Sequence, residues 1–556
     1  MTKSNITKLA TFAALIAGGT VLAACGGGGG GSSVTPLAPV SPSPPPPPPP
    51  PSQAPTWTQG VFEAASTFEN QCEAPRSGVD IEGNPFPDQD GSLIEELFWL
   101  RSWTEETYLW NDQVTDQDPA GFNNRLTYFG ELKTDAVTAS GEDLDDFHFS
   151  EPTDEFLERR NSTARSGYGV SLAVFSNSPP RDYRVRYTEP NSPASEMVSG
   201  QTNFVRGARI LSVDGVDLVN GGSTQAEIDT LNDGLFPATS GETHTFVVQD
   251  PGAAASRSIT VTSADVVQAP VNRTAVINTS SGNVGYILFN TFSPFSSEAA
   301  IADAITDMAN ANVTDLVLDL RYNGGGLLAV ASQLSYMIAG PARTNGKTFE
   351  LLQFNDNAGN RNPVTGEINN PIPFFDQGLG FSLADNTPLD DLDLGRVYIL
   401  STGGTCSASE AVINGLRGID VEIVLIGDVT CGKPYGFYPT DNCGETYYTI
   451  QFRGVNDKDF GDYSDGFVPN NSSFGFGERV AGCVVSDDIN TELGDPSEGL
   501  LAAALDYREN GTCPAVTTKA SVETTYSKPG LSTVATTALS EQDDFIANNR
   551  DMTMPR

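Results

Sequence analysis

The stretch of residues 397–433 reads VYILSTGGTCSASEAVINGLRGIDVEIVLIGDVTCGK. Two runs within it, 397–400 and 422–427, have the continuous apolar character of strands that are buried on both faces of a parallel sheet. A polar turn follows each run, and the first turn opens a helix with apolar residues at Val412 and Leu416. Because turns at the carboxyl ends of adjacent parallel strands meet at one edge of a sheet, the sequence predicts that these two turns lie together.

Strands and helices alternate over the wider region from about 270 to 512, which predicts an α/β layer. The run 284–289 is typical of a strand, and Ile301 and Ile305 then mark the apolar face of a helix. A further buried strand is predicted at 316–320. We therefore expect residues 270–512 to form one core around the two turns.

Ser407 stands in the first turn, within GGTCSASE at 403–410. At the first turn of a helix, the dipole and the unpaired N–H groups favour an oxyanion, which suits an attacking hydroxyl. A structural interpretation competes with this one, because Ser407 and Glu410 also satisfy the S-x-x-E capping box, in which the serine only caps the helix. The motif alone leaves both interpretations open.

Lys433 ends the second turn, GDVTCGK at 427–433. No histidine follows His244, so a Ser-His-Asp triad is not available in this region. Lysine can act as the base if it is uncharged, and lowering a lysine pKa from about 10.4 to about 7.5 costs roughly 4 kcal/mol, which burial can supply. The aromatic PYGFY stretch that follows at 434–438 favours such a poorly hydrated setting over a surface cation.

A third motif, DLRYNGGG, occupies residues 319–326 at a strand end. Its glycines permit a turn with N–H groups that point outward, as an oxyanion hole requires. Phosphate binding is a weaker alternative because no P-loop lysine follows the glycines, and a plain turn between a strand and a helix is the other one.

The region from about 166 to 265 is richer in short alternating strands. Its stretch RGARILSVDG at 206–215 resembles the strand-and-turn signature of PDZ domains, with Asp214 and Gly215 as the hairpin turn. A second stretch resembles the loop in which PDZ domains bind the C-terminal carboxylate of a peptide. The residues of this predicted peptide-binding loop are Gly167, Tyr168, Gly169 and Val170.

Together and in this order, DLRYNGGG, TCSASE and GDVTCGK, preceded by a PDZ-like region, resemble the C-terminal processing proteases of peptidase family S41 over roughly 166–505. The resemblance implies that Ser407 is the nucleophile and Lys433 the general base. It also implies that Gly325 and the N–H of Ala408 bind the oxyanion, and that the core is of the crotonase-like ββα type. Phe437 departs from the family, which commonly has a lysine-orienting glutamine there, and the spacing from Ser407 to Lys433 is one residue longer than usual. These differences indicate a divergent branch.

The N-terminus predicts export. Lys3 and Lys8 precede an apolar run that ends in LAAC, so residues 1–25 resemble a lipoprotein signal peptide with Cys25 as the lipidated residue. An ordinary secretory signal with an incidental cysteine is the alternative. We expect a Gly- and Pro-rich tether at 26–55, a small helical domain at 56–160 and a disordered tail at 514–556.

The amino-acid composition limits the classes of partner that the protein is expected to bind. The chain has 71 acidic and 31 basic residues and a formal net charge of -40, which argues against nucleic acid. Six cysteines follow Cys25, an even number that favours disulfides outside the cytosol, although sequence does not select the pairs. With two histidines and no CxxC pair, we expect no zinc site and no cofactor.

The sequence thus predicts an α+β multidomain protein: a small N-terminal helical domain, a PDZ-like β-rich domain at 166–265 and a protease core at 270–512. We expect a serine endopeptidase of the cell envelope, anchored by lipid at Cys25 to the outer membrane and facing the periplasm or the cell surface. Its partners would be polypeptides bound by their C-terminal tails. The competing prediction is a non-catalytic, PDZ-bearing peptide-binding lipoprotein.

Overall fold

The computed structural model describes residues 54–161, 164–514 and 550–551. The predicted signal peptide, Cys25 and nearly all of the predicted tether lie outside these residues, as does most of the predicted tail. The signal peptide, the lipidation of Cys25, the tether and the tail therefore stay predictions. Within the described part of the chain, no helix combines the length and the apolar character that crossing a membrane demands.

A six-stranded sheet forms the centre of the core, and its spatial order follows the order of the chain. The first two strands are antiparallel and all later neighbours are parallel. The strands are β1 (Val271–Thr279), β2 (Gly282–Phe289), β3 (Asp315–Asp319), β4 (Arg396–Ser401), β5 (Glu422–Gly427) and β6 (Gly482–Val484).

Helices cover both faces of this sheet because its strands alternate between two apolar sets. One face, with Leu318, Ile399 and Leu425, packs on three helices, and the other face, with Val317 and Ile426, packs on the fourth. The four helices are α1 (Ser297–Asn310), α2 (Leu328–Ala339), α3 (Ala408–Gly418) and α4 (Gly499–Asn510). Each fully buried Leu or Ile side chain contributes about 1.5 to 3 kcal/mol.

A second sheet precedes the core and has its own apolar interior, which includes Val185, Ile210 and Phe246. Its strands are Val170–Ser176, Asp182–Thr188, Arg209–Val213, Val216–Asp217, Thr243–Gln249 and Arg257–Thr262, and the helix Gln225–Leu235 packs beside it. Asp214 and Gly215 have φ of 49° and 82° and connect two antiparallel strands, so the predicted hairpin turn is confirmed. The strand Val170–Ser176 lies at the edge of the sheet.

The N-terminal segment is largely irregular and packs against the core. Trp99 and Trp103 of its longest helix both contact Tyr447. Its strand Phe149–Pro152 pairs with Glu445–Tyr448, which places residues just upstream of that strand close to the core. Its helices are Leu93–Thr107, Arg125–Gly130 and Thr153–Arg160, with short 3₁₀ turns at Ala65–Thr67, Asn111–Gln113 and Pro119–Gly121 and a strand pair at Gln71–Cys72 and Gln89–Asp90.

Smaller elements complete the described chain. One four-stranded sheet contains Ile372–Pro373, Thr348–Gln353, Phe452–Val455 and Tyr435–Gly436. The strand Arg550–Asp551 pairs in parallel with Gly326–Leu327. The remaining elements are the strands Arg165–Gly167, Met197–Val198, Gln201–Thr202, Ala264–Val266, Thr440–Asn442, Phe467–Pro469 and Glu478–Val480 and the helix Pro341–Thr344.

The prediction of disulfides from the even number of cysteines is confirmed. The pairs are Cys72–Cys443, Cys406–Cys431 and Cys483–Cys513. The first links the N-terminal segment to the core, and the third links β6 to the residues after α4. The second lies at the edge of the sheet where the two predicted turns meet.

Candidate active site

Three loops follow β3, β4 and β5 at the carboxyl edge of the sheet. They are the glycine loop (residues 320–326), the serine loop (402–407) and the lysine loop (428–433). Strand pairing brings them together, since β4 lies between β3 and β5. Backbone hydrogen bonds continue beyond the strands, from Leu320 N to Leu400 O at 3.0 Å and from Asp428 N to Ser401 O at 3.0 Å. The predicted meeting of the serine and lysine turns is therefore confirmed.

Ser407 is the N-cap residue of α3 and has a backbone conformation that is rare for a residue with a side chain, with φ 59° and ψ -113°. It is completely buried, and its Oγ has no hydrogen-bond partner among the described residues. A strained backbone and an unsatisfied buried hydroxyl both cost stability. Such costs are concentrated at functional sites, so the arrangement favours a chemical role for Ser407 over a structural one.

The capping-box interpretation is only half realised. Ser407 and Glu410 have the layout of a capping box, and the Ser407 N–H donates to Glu410 Oε2 at 3.0 Å. The reciprocal hydrogen bond from the Glu410 N–H to the Ser407 hydroxyl is not made, and this Oγ has no hydrogen-bond partner in the described part of the chain. Ser407 therefore caps the helix with its backbone and leaves its side chain available.

Glu410 links the serine and lysine loops, a role that we did not predict from the sequence. Its Oε2 accepts from Lys433 N at 2.8 Å as well as from Ser407 N, and its Oε1 accepts from Gly432 N at 2.9 Å and from Thr430 Oγ1 at 2.5 Å. Burial raises the pKa of the Glu410 carboxyl, and these hydrogen bonds act against that rise. The sequence feature that could have indicated this role is the glutamate of the S-x-x-E motif, which accepts hydrogen bonds from the lysine loop as well as from its own helix.

Lys433 is completely buried, as predicted, in an aromatic setting. Its Nζ lies 4.6 Å from the ring centroid of Phe437 and 4.6 Å from that of Phe147. Phe437 is the residue that stands in place of the family's usual glutamine, and Phe147 comes from the N-terminal segment. The Ser407 hydroxyl is not hydrogen-bonded to Lys433 in this arrangement, since it has no partner in the described part of the chain.

Asn323 organises the glycine loop and attaches it to the serine loop. Its carbonyl oxygen accepts from Cys406 N at 3.1 Å and from Ser409 Oγ at 3.0 Å. Its side-chain oxygen accepts from Gly325 N at 2.9 Å. The N–H of Gly325, which we predicted to bind the oxyanion, is thus already engaged, and its proposed role requires that this short-range hydrogen bond opens.

Ala408 is the first residue of α3 and is buried beside Ser407. The N–H groups of a first helical turn have no carbonyl partner within their own helix. This position fits the predicted role of the Ala408 N–H as an oxyanion donor, and the role stays a prediction.

A buried charge network lies behind the glycine loop. The guanidinium of Arg321, which is fully buried, contacts Asp319 at 2.8 Å, Glu498 at 2.7 Å and Asp487 at 2.7 Å. Burial disfavours the charged guanidinium, but the three carboxylates outweigh this effect and raise the pKa of Arg321. The network fixes the end of β3, from which the glycine loop begins.

The four residues of the predicted peptide-binding loop lie together at the start of the edge strand Val170–Ser176. Tyr168 is buried and donates its hydroxyl to Gly234 O at 3.0 Å. Gly169 has φ 73°, and a Cβ there would lie 2.4 Å from Ser192 Cβ, so the loop requires glycine. Its carbonyl accepts from Glu189 N at 2.7 Å. Peptide binding by this loop stays a prediction.

Comparisons with known proteins agree with the fold and with the order of the loops. Residues 283–437 match the model of peptidase family S41. The chloroplastic C-terminal processing peptidase of Tetradesmus obliquus is 26% identical over 364 residues, which cover 61% of this chain and 68% of that protein. A crystal structure of a candidate S41 protease from Bacteroides fragilis NCTC 9343 aligns with a TM-score of 0.55 and 22% identity over 74% of this chain and 97% of that one.

The photosystem II D1 C-terminal processing protease aligns more distantly, with a TM-score of 0.37 and 18% identity over 69% of this chain and 92% of that one. The segment that contains the three loops thus matches the model of peptidase family S41, over residues 283–437. Over a longer stretch, the chain is similar to a C-terminal processing peptidase.

Proposed function

We propose that this protein is a serine endopeptidase in which Ser407 is the nucleophile and Lys433 the general base. The observation that carries the proposal is the state of Ser407: a buried hydroxyl with no hydrogen-bond partner among the described residues, on a strained backbone at a helix N-terminus. The base candidate Lys433 is buried on the neighbouring loop, and Glu410 holds the backbones of both residues. A Ser-His-Asp triad has no candidate histidine in the core, since both histidines precede residue 270.

Hydrolysis would proceed through an acyl-enzyme. Neutral Lys433 accepts the proton of the Ser407 hydroxyl while Oγ attacks the scissile carbonyl. The tetrahedral oxyanion is stabilised by the N–H of Ala408 and by an N–H of the glycine loop, where we propose Gly325. Collapse expels the amine, which takes its proton from Lys433, and water then hydrolyses the ester by the same route in reverse.

Two contacts must change when substrate binds. Ser407 Oγ must come within hydrogen-bond reach of Lys433 Nζ, and Gly325 N must exchange the Asn323 side chain for the oxyanion. Catalytic hydrogen bonds commonly tighten only in the substrate complex. The proposal therefore predicts that a covalent serine inhibitor or a bound substrate analogue displaces the Asn323 side chain.

We further propose that the sheet of residues 170–262 acts as a PDZ domain for the C-terminal tails of substrates. On one side, its edge strand Val170–Ser176 pairs with no other strand of the described residues, and an extended peptide can add there as a further strand. The loop Gly167 to Val170 begins that strand, so the carboxylate would bind where the loop turns. Lipid attachment at Cys25 would hold the enzyme at the cell envelope, in agreement with three disulfides.

A non-catalytic peptide-binding protein is the second candidate. The engaged Gly325 N–H, the missing hydrogen bond from Ser407 to Lys433 and the phenylalanine at position 437 favour it. The two candidates differ in whether a polypeptide is cut or only bound.

The deciding experiment compares the purified chain with Ser407→Ala and Lys433→Ala, using an unfolded protein as substrate and mass spectrometry to locate the cuts. Ser281→Ala and Lys347→Ala are matched controls, because they make the same changes at distant, exposed positions. We expect both site variants to lose cleavage and both controls to keep it. Cleavage that survives Ser407→Ala would disprove the mechanism, and tail binding without any cleavage by the unmodified chain would support the second candidate.

A further inference from the structure

One disulfide joins the two loops that carry the proposed nucleophile and base. Cys406 directly precedes Ser407, and Cys431 lies two residues before Lys433. The other two disulfides are elsewhere, one at the N-terminal segment and one between β6 and the residues after α4. Of the three cross-links, this is the one whose ends are both in the site.

The backbone N–H groups of the two cysteines connect the serine loop to the lysine loop and to the glycine loop. Cys431 N donates to Thr405 O at 3.1 Å, and Cys406 N donates to Asn323 O at 3.1 Å. Thus Cys406 is attached to the glycine loop by its backbone and to the lysine loop by its sulfur. A shift of Cys406 would therefore move Ser407 relative to both the oxyanion donors and the base.

The backbone at Ser407 explains why such an attachment matters. A serine with φ 59° and ψ -113° is strained, and a strained conformation persists only where its surroundings over-determine it. The residues on both sides of Ser407 supply this constraint: Cys406 through the disulfide and Ala408 through α3. Without the disulfide, the residue before the strained serine loses its covalent link to the lysine loop.

We propose that the Cys406–Cys431 disulfide positions Ser407 against Lys433 and makes the activity depend on the thiol redox state. The activity part rests on the proposed peptidase function. A dithiol reductant attacks at Cys431, which is a partly exposed residue, whereas Cys406 is buried. The mixed disulfide is resolved by the second thiol of the reductant, which leaves two cysteine thiols and one oxidised reductant.

The consequence is a peptidase that works where disulfides persist and loses its rate where they are reduced. In the reduced state the hydrogen bonds to Glu410 remain, so the loops stay near each other and the fold is kept. The disulfide acts in this proposal by positioning Ser407 and not by contacting the substrate. We therefore expect the effect in kcat, with little change in KM.

The test compares the double variant Cys406→Ser/Cys431→Ser with the matched control Cys483→Ser/Cys513→Ser, both in the full chain. We expect the first to lose at least tenfold in kcat with KM within twofold and to become insensitive to dithiothreitol. The control should keep its kcat and its sensitivity to dithiothreitol. A kcat within twofold of the unmodified chain for Cys406→Ser/Cys431→Ser, or an equal loss in both double variants, would overturn the proposal.

A second measurement serves if the double variant does not fold. The unmodified chain is treated with graded dithiothreitol, each disulfide is quantified by mass spectrometry, and the remaining activity is recorded. Activity must fall in proportion to reduction of Cys406–Cys431 and return on reoxidation with oxidised glutathione. Full activity in a sample with this pair reduced would contradict the positioning role.

A third measurement does not require activity, so it separates failure of this proposal from failure of the proposed function. Hydrogen exchange of residues 403–410 should accelerate on reduction of Cys406–Cys431, while exchange in β2 and β3 stays constant. If the unmodified chain cuts nothing but this acceleration is seen, the peptidase proposal fails and the positioning role stands. Unchanged exchange at 403–410 would overturn the positioning role by itself.

Discussion

Arg206, in the turn before the strand Arg209–Val213, and Arg321, in the glycine loop, share one carboxylate. Arg206 Nη2 is 2.8 Å from Asp487 Oδ1, and Arg321 Nη1 is 2.7 Å from the same oxygen. The other oxygen of Asp487 accepts from the hydroxyl of Tyr322, a residue of the glycine loop. Burial acts against the charge of Asp487, but the two arginines outweigh it and lower the pKa of this carboxyl. The Asp487 carboxylate thus connects the sheet of residues 170–262, through Arg206, to the glycine loop, through Arg321 and Tyr322.

Asp487→Asn should be strongly destabilising, because it leaves two buried guanidinium groups with less negative charge around them. Breaking a buried ion pair by removing one partner costs about 3 to 5 kcal/mol, and we expect a loss of this size in the free energy of unfolding, measured with urea. Asp420→Asn is the matched control, because its partner Lys458 is exposed, and such pairs contribute at most about 1 kcal/mol. Equal effects of both changes would refute the importance of the shared carboxylate.

Glu410→Gln should lower the rate far more than it lowers substrate affinity. A carboxylate accepts hydrogen bonds on both oxygens, whereas the amide would direct an NH₂ group at N–H donors of one loop. A misplacement of about 1 Å can cost about a hundredfold in rate, and we expect a fall of this order in kcat with KM nearly unchanged. The comparison is Glu422→Gln, at the exposed start of β5, which should keep its kcat. A parallel rise in KM would indicate a general structural role instead.

Gly326→Ala should disrupt the glycine loop. Gly326 has φ 131°, and an added Cβ would lie 2.2 Å from Ser293 N, which is backbone and has no rotamer to adopt. We expect a loss of stability of about 2 to 3 kcal/mol, together with most of the activity. Gly346→Ala is a fitting reference because Gly346 has φ 72° and open space around it, so it should cost only about 1 kcal/mol. Thermal unfolding and peptide hydrolysis of the two variants provide the measurement.

Glu189→Gln should stabilise the protein at alkaline pH. Burial raises the pKa of Glu189 from 4.5 to about 7, so ionisation in the folded state is unfavourable. A raised carboxyl pKa contributes stability that is fully present below pH 4.5 and is lost as the pH rises through about 7. The variant should therefore match the unmodified chain near pH 4 and exceed it by up to about 3 kcal/mol at pH 8.

Glu227→Gln is the opposite case in the same sheet-and-helix unit. Hydrogen bonds from Ser223 and from the N–H of Thr224 lower the pKa of the exposed Glu227, so its contribution is present above pH 4.5 and is lost in acid. This variant should be less stable than the unmodified chain at pH 8.

For Glu189→Gln, the contradicting outcome is a constant difference in stability. If the difference between the Glu189 variant and the unmodified chain does not vary between pH 4 and pH 8, burial of that carboxyl has no effect on stability.

Local sequence patterns predicted much of the core. The apolar run 422–427 coincides with β5, and the run 284–289 lies within β2, because buried parallel strands show their character in each residue. The position of Ser407 at the start of α3 followed from the strand-turn-helix pattern in the same way. Each of these predictions depends only on residues that are close together in the sequence.

Contacts between distant residues were not predictable in this way. Phe147 against Lys433, Glu410 bridging two loops and the choice among disulfide pairings depend on which segments the fold brings together. The hydrogen bond from Gly325 N to the Asn323 side chain was missed for another reason, since a turn can use its N–H groups internally or present them, and the sequence is the same in both cases.

Phe147 gives the enclosure of Lys433 a consequence for biogenesis. Of the two rings beside the Lys433 amine, Phe147 is synthesised early and Phe437 is synthesised 290 residues later. A nascent chain that ends before residue 407 therefore contains neither Ser407 nor Lys433. If the chain is the peptidase proposed above, it could cut only after both segments had been made and had packed together.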